Sequence, residues 1–211
     1  MIASCKKAVK TQPSPTPFKN VVILGNSITF TPQNLPDGWY GNWGLAATAA
    51  DSDYVHHLTV DLKKVYPACT VAIRSIVPFE SDWNNYNLDT NLSDLKALNP
   101  DLVILRIGEN VNQVPLDTAS FGAKYKALVQ YFGTKTVVLG VGSLWSRPVT
   151  DGVMAKYSTF ITLAPLSNDL SIYSYGAWAD PAIEQHPNNK GMREIAEVIW
   201  AKIQTLTPVK Q

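Results

Sequence analysis

The chain has 211 residues, with a hydrophobic fraction of 45% and a charged fraction of 17%, which are typical of a folded domain with a sizeable core. Its 18 basic residues nearly balance 17 acidic residues. The net charge of +1 therefore gives no electrostatic reason to expect nucleic acid or an anionic membrane surface as a partner. No apolar run approaches the roughly 20 residues that a membrane-spanning helix needs.

Residues 1–19 predict a tether ahead of the folded domain at 20–211, because they are rich in Lys, Thr and Pro. The segment Ile2-Ala3-Ser4-Cys5 resembles the end of a bacterial lipoprotein signal, although the apolar segment that should precede it is missing. That interpretation predicts a lipid anchor at Cys5 and a periplasmic or cell-surface location. An ordinary flexible N-terminus explains the same residues and leaves a cytoplasmic location open. Cys69 lies in a strand-like run and is expected to be a buried thiol.

Five continuous apolar runs predict strands that are buried on both faces: 21–24, 71–76, 102–107, 136–141 and 170–175. Helical patterns lie between and after them: 54–65, 92–98, 121–132, 153–161 and 192–203. This alternation predicts an α/β fold with one parallel sheet of about five strands and helices on both faces, an αβα sandwich. In such sheets, ligands bind beyond the carboxyl ends of the strands.

The first apolar run ends in Gly25-Asn26-Ser27. A serine at the start of a helix there would point its hydroxyl into the crevice, and nearby backbone N–H groups could hold an oxyanion. The glycine allows a tight turn. An ordinary helix-capping serine is the alternative interpretation.

Two further polar segments follow other strands. The run at 102–107 leads into Gly108 and Asn110, whose amide could reach the same point, although asparagine is also a common turn residue. His186 lies in a Pro- and Asn-rich loop just before the last helix. His56 and His57 are adjacent on a predicted helix, so their side chains diverge and do not form a metal-ligand pair.

A serine, an asparagine and a histidine beyond three different strand ends are the set that nucleophilic acyl transfer needs: nucleophile, oxyanion donor and proton carrier. In this hypothesis Ser27 attacks an ester carbonyl, His186 carries the proton, and no metal or organic cofactor is needed.

These segments resemble the sequence blocks of the SGNH/GDSL hydrolases, a superfamily of esterases and acylhydrolases. The Gly-Asp-Ser block corresponds to residues 25–27, the Gly-x-Asn block to 108–110, and the His-Pro block to His186-Pro187. The oxyanion glycine is assigned to Gly44, with Gly41 as the alternative. The resemblance implies a flavodoxin-like strand order of 2-1-3-4-5 and an oxyanion hole formed by Ser27, Gly44 and Asn110.

Two positions depart from the family pattern. Asn26 replaces the usual aspartate, and Ile183 stands where the triad aspartate is expected, three residues before the histidine. An isoleucine cannot orient an imidazole. Glu184 is the preferred substitute, and Asp180, Glu109 or a backbone carbonyl remain open; Asp180-Pro181 also reads as a helix N-cap.

The substrate is suggested by aromatic residues in the loops, which suit the apolar faces of sugars: Trp39, Tyr40, Trp43, Trp83, Trp145 and Trp178. Together with the lipoprotein-like start, they predict an O-acetyl esterase that acts on a glycan outside the cytoplasm. Two alternatives stay open. One is a glycan-binding module that has lost catalysis, and the other is a flavodoxin-like domain that holds an anion at residues 25–27.

Overall fold

The computed structural model describes residues 18–112 and 115–209. Five strands form one all-parallel sheet in the order β2-β1-β3-β4-β5, which confirms the predicted layering and strand order. The strands are β1 Asn20–Gly25, β2 Thr70–Ser75, β3 Leu102–Arg106, β4 Val137–Val141 and β5 Thr159–Ile161. The helices are α1 Tyr54–Val65, α2 Val77–Ser81, α3 Leu88–Ala97, α4 Thr118–Tyr131, α5 Pro148–Met154, α6 Pro181–Glu184 and α7 Asn189–Ile203.

The core lies on both faces of the sheet because successive side chains of a strand point to opposite sides. Val21 and Ile23 of β1 pack with the helices α1 and α7, whereas Val22 and Leu24 pack with α3 and α4. All five residues of β3 are buried, as expected for a central strand. The two layers hold the carboxyl ends of β1 and β3 side by side.

The fifth strand differs from the prediction. Residues 170–175 were expected to form it, but Leu170–Ile172 is a 3-10 turn and Tyr173 makes an isolated bridge to Pro187. The strand β5 instead lies inside the pattern predicted as a helix, where Phe160 pairs with Gly140 of β4. Apolar spacing of three and four residues is outweighed there by the unpaired edge of β4, which residues 159–161 satisfy with backbone hydrogen bonds.

The segment after β1 also differs from the prediction. Residues 27–29 form a turn rather than the first turn of a helix, and the next α-helix begins at Tyr54 with Asp53 as its N-cap. Pro32 accounts for part of this, since proline has no N–H to donate and disfavours helical backbone at the preceding residue. The loop has 3-10 turns at Leu35–Asp37 and Ala50–Ser52.

The folded domain includes two residues that were assigned to the tether. Phe18 is buried at 3% exposure in the core, and the backbone N–H of Lys19 donates to Asp101. Cys69 is buried, as predicted, whereas the anchor predicted at Cys5 lies outside the described residues. Within the described ranges, no helix has the length and apolarity needed to cross a membrane.

We expect Phe18→Ala to lower the free energy of unfolding by about 3 kcal/mol, because it leaves a cavity in the core. Urea denaturation would measure this loss. Leu170→Ala, at a side chain that is 70% exposed, is the control and should change stability by less than about 0.5 kcal/mol. Equal, small effects of both changes would mean that residue 18 belongs to the tether after all.

Candidate active site

Ser27 lies in a turn directly beyond the end of β1. The carbonyl of Asn26 accepts the N–H of Thr29 at 2.9 Å, and the carbonyl of Ser27 accepts the N–H of Leu45 at 2.9 Å. Gly25 is required by close approach, since a Cβ there would lie 1.8 Å from Thr29 Oγ1. These contacts fix the backbone on both sides of the hydroxyl.

His186 comes to Ser27 from the loop between α6 and α7. Asn188 holds this loop in place. It caps α7, and its side-chain amide donates to the carbonyl of Tyr173 at 2.7 Å. His186 Nε2 lies 2.8 Å from Ser27 Oγ, although the two residues are 159 positions apart in the chain. The ring of Trp145 meets the imidazole edge-on, with 5.4 Å between ring centroids. The structure thus joins the predicted serine and histidine by a direct contact.

The second ring nitrogen of His186 contacts the main chain. Nδ1 lies 2.8 Å from the carbonyl oxygen of Ala182 in α6. A carbonyl oxygen only accepts hydrogen bonds, so Nδ1 carries the proton and Nε2 has its lone pair directed at the Ser27 hydroxyl. This tautomer is the one a general base needs.

The backbone carbonyl corrects the sequence-based preference for Glu184 as the partner of the ring. Oε1 of Glu184 instead accepts from the backbone N–H of Trp178 at 3.4 Å. Asp180 caps α6 through the N–H of Ala182, as its helix-capping interpretation predicted. Glu109 forms a buried ion pair with Arg106. None of these three carboxylates is the group hydrogen-bonded to Nδ1.

Packing explains why residue 183 is an isoleucine and not an aspartate. Ile183 is buried at 3% exposure in an apolar cluster with Trp39 and Ala46. A charged carboxylate at this depth would need partners that the cluster does not offer.

Burial lowers the pKa of His186 below its ordinary value of 6.5, and the hydrogen bond to the Ala182 carbonyl opposes part of that shift. The neutral ring is therefore the stable form at neutral pH.

The predicted oxyanion donors have different surroundings. Asn110 lines the same cavity as Ser27 and His186, and its Nδ2 donates one hydrogen bond to Glu80 at 2.8 Å. The N–H of Gly44 donates to Asp53 Oδ2 at 3.0 Å, so this group is already engaged. Asp53 also holds the ring of His56 through Nδ1 at 2.7 Å, which raises the pKa of that histidine. The structure therefore does not bring the Gly44 N–H to the cavity.

A buried polar network lies directly beneath Ser27. The side-chain oxygen of Asn26 accepts from Arg106 at 2.7 Å, and its amide donates to Glu109 at 2.7 Å and to Glu80 at 3.3 Å. All four side chains are nearly inaccessible to solvent. Asparagine fits because it can accept from a cation and donate to carboxylates at once, which aspartate cannot do. The sequence patterns did not identify Glu80 and Arg106 as site residues, because each follows apolar residues that are typical of a protein core.

The cavity around Ser27 and His186 has a volume of about 260 Å³. Its lining includes the aromatic residues Trp39 and Trp145 and the acidic residues Asp37 and Asp180. The lining residues of this cavity include no lysine or arginine.

The loop aromatics divide into two groups. Tyr40, which is 49% exposed, stacks on Trp39 with centroids 5.8 Å apart and faces Trp178 at 5.6 Å. Trp83 instead packs edge-on against Phe121 in the core beneath α4. The aromatic surface at the site is therefore built from the loop at 39–43, from Trp145 and from Trp178.

A larger cavity of about 580 Å³ lies near Trp43, His56 and Arg74. Neither it nor any other part of the described chain gathers three or more His, Cys, Asp or Glu side chains in a geometry suited to a metal ion.

Several solved structures share this architecture. The chain is similar to a two-domain esterase (CEX) active on acetylated mannans, with a TM-score of 0.59 and 20% identity, covering 92% of this chain and 51% of that one. It thus spans about half the length of that esterase. It is also similar to LAE5, an alpha/beta hydrolase enzyme from the metagenome of Lake Arreo, Spain, with a TM-score of 0.56 and 18% identity, covering 89% and 96% of the two chains.

A third similar structure, from Parabacteroides merdae, is described as GDSL-like and has a TM-score of 0.53 and 14% identity, covering 90% and 97% of the two chains. No protein-family model matches the chain, and no curated protein sequence matches it at a significant level. At these identities the likeness establishes the fold, which is that of the SGNH/GDSL hydrolases.

We expect Asn26→Asp to destabilise the protein by about 1–3 kcal/mol, because it removes the amide donor and adds a third buried carboxylate beside Glu80 and Glu109. Glu80 and Glu109 should together outweigh Arg106, which already pairs with Glu109, and so raise the folded-state pKa of the new carboxyl. The loss should therefore be small below about pH 4 and should grow as the pH rises toward that raised pKa. Urea titrations at several pH values would measure it. Asn84→Asp, at an exposed position, is the matched control, and a loss in Asn26→Asp that does not increase with pH would contradict the account.

Proposed function

We propose that this protein is a serine esterase that hydrolyses O-acyl esters, with acetyl groups on a carbohydrate as its substrate. The observation that carries the proposal is the 2.8 Å contact between Ser27 Oγ and His186 Nε2, with the ring held by the Ala182 carbonyl. Such a pair is suited to activating a hydroxyl as a nucleophile. The similarity to hydrolases of the same fold supports the reaction class by analogy.

In the proposed mechanism, the Ser27 hydroxyl attacks the ester carbonyl while His186 Nε2 takes its proton. The backbone N–H of Ser27 and the side-chain amide of Asn110 stabilise the oxyanion of the tetrahedral intermediate. His186 then returns the proton to the leaving alcohol, and water hydrolyses the acyl-enzyme by the same steps. Gly44, whose N–H is engaged by Asp53, has no part in this scheme.

The substrate proposal rests on the shape and lining of the cavity. A volume of about 260 Å³ suits a short acyl group and part of a sugar ring better than a long acyl chain. Tyr40, which is 49% exposed, and the half-buried Trp178 offer an aromatic surface above the buried Trp39, and this surface suits the apolar face of a sugar. One similar structure belongs to an esterase active on acetylated mannans, and we extend that substrate class to this chain.

The two other candidate functions are less well supported. An anion-binding site would need the N-terminus of a helix after Gly25, but a turn follows, and the buried side chains below include two carboxylates. A glycan-binding module without catalysis is favoured only by Ile183, and the Ala182 carbonyl supplies the ring partner that this residue cannot. Absence of ester turnover with retained glycan binding would support the module.

We expect Ser27→Ala and His186→Ala each to reduce kcat for 4-nitrophenyl acetate by at least about 10³-fold, since each removes a member of the reacting pair. Glu184→Gln is the matched control and should stay within about threefold of wild type, because Glu184 is not the ring's hydrogen-bond partner. Circular dichroism would verify that the variants fold. A loss in Glu184→Gln as large as in His186→Ala would restore Glu184 as the third catalytic group.

We expect the acid limb of the kcat/KM profile to have its midpoint below pH 6.5. The base must be neutral, and burial lowers the pKa of His186. Trp145→Ala should move this limb to higher pH, because it exposes the imidazole to water and lessens the desolvation of its charged form. An unchanged limb in that variant would mean that another group controls the profile.

We expect the carboxylates of Asp37 and Asp180 to disfavour anionic alcohols. At low ionic strength, an acetylated methyl glucoside should have a kcat/KM about tenfold higher than the corresponding acetylated glucuronide. The double change Asp37→Asn and Asp180→Asn should reduce this preference to within about threefold, and the asparagine introduced at position 180 would still cap α6. Equal rates with both substrates in the wild-type protein would exclude this selectivity.

A further inference from the structure

Glu80 is a buried carboxylate that the proposed mechanism does not use. It belongs to α2, just beyond β2, and is 1% exposed. Its Oε1 accepts from the N–H of Gly108 at 2.5 Å, from the N–H of Asn110 at 3.4 Å and from the Asn26 amide at 3.3 Å. Its Oε2 accepts from Asn110 Nδ2 at 2.8 Å. In each of these four contacts an N–H group donates to the carboxylate.

The arrangement matches an ionised carboxylate, which only accepts hydrogen bonds. Burial and the nearby Glu109 raise the pKa of Glu80, whereas the hydrogen bonds from Asn110, Gly108 and Asn26 oppose that shift. A buried carboxylate costs free energy unless such donors surround it. The donors come from the ends of β1 and β3, so Glu80 ties together the two strand ends that carry Ser27 and Asn110.

The contact with Asn110 has a consequence for the orientation of that side chain. The oxygen and nitrogen of a side-chain amide have nearly the same shape, so only hydrogen bonding decides which end points where. An amide oxygen facing Glu80 Oε2 would be repelled by it, whereas Nδ2 is attracted. Nδ2 carries two hydrogens, so one bond to Glu80 leaves the other available to the cavity that Ser27 and His186 share.

We propose that Glu80 is a positioning residue that fixes the amide of Asn110 with its N–H group, rather than its oxygen, toward the developing oxyanion. Glu80 itself touches neither the substrate nor the reacting atoms. The inference rests on the proposed esterase function and adds to it the group that sets the oxyanion donor.

Glu80→Gln tests the proposal with almost no change in shape. Glutamine places an amide nitrogen where one carboxylate oxygen lies, and facing Asn110 it would favour turning that amide over. We expect kcat for 4-nitrophenyl acetate to fall about 10²-fold, as for loss of an oxyanion donor, with KM within about twofold of wild type. A raised KM with unchanged kcat would overturn the proposal.

A double-mutant cycle separates positioning from a general structural role. In an Asn110→Ala background the amide is gone, so Glu80→Gln should reduce kcat by no more than about threefold further. A reduction in that background as large as in the wild type would show that Glu80 acts through the fold and not through Asn110. Glu197→Gln, on the exposed face of α7, is the matched control and should leave kcat unchanged.

A measurement on the wild-type protein covers the case in which Glu80→Gln does not fold. The Asn110 side-chain amide can be assigned by NMR from the signal pair that Asn110→Ala lacks. One of its two protons should be shifted downfield and exchange slowly with water, because it bonds to a carboxylate. Two rapidly exchanging protons in an active enzyme would overturn the role of Glu80 alone, whereas a wild type without ester turnover would overturn the esterase function itself.

Discussion

The hydrogen bonds of the Asn26 side chain hold together the part of the molecule on which the candidate site depends. One amide group joins Arg106, the last residue of β3, and Glu109, which follows the strand, to Glu80 of α2, directly beneath Ser27. Because the amide both donates and accepts, it connects a cation and two carboxylates without adding charge to a buried space. The Ser27 hydroxyl therefore lies above a fixed, buried polar network.

Apolar packing supplies the frame for this network. The central strands β1 and β3 lie side by side and bury their side chains on both faces, so their carboxyl ends have little freedom to move apart. His186 lies on a separate loop. The Tyr173–Pro187 bridge and the Asn188 side chain hold this loop against the rest of the domain. Rigid strand ends and one anchored loop together account for the short contact between hydroxyl and imidazole.

The sequence was informative wherever a local pattern carried the signal. Continuous apolar runs located β1 to β4, and polar residues just beyond them indicated Ser27 and Asn110. The sequence was uninformative where contacts between distant residues determined the local structure. Residues 159–161 became a strand because β4 had an open edge, and Glu80 acquired its partners from residues up to 54 positions away. The Ala182 carbonyl has no signature at all, because every residue carries one.

Because the Ala182 carbonyl holds the His186 ring, the orientation of the imidazole is a property of the main chain. Replacing the side chain of residue 182 leaves the acceptor in place, so the sequence can vary there without loss of the imidazole's partner. The site depends instead on the path of the backbone through α6, which Asp180 caps and which the buried side chain of Ile183 packs into an apolar cluster. Comparisons of proteins with this fold by side-chain identity alone would overlook an imidazole that is held in this way.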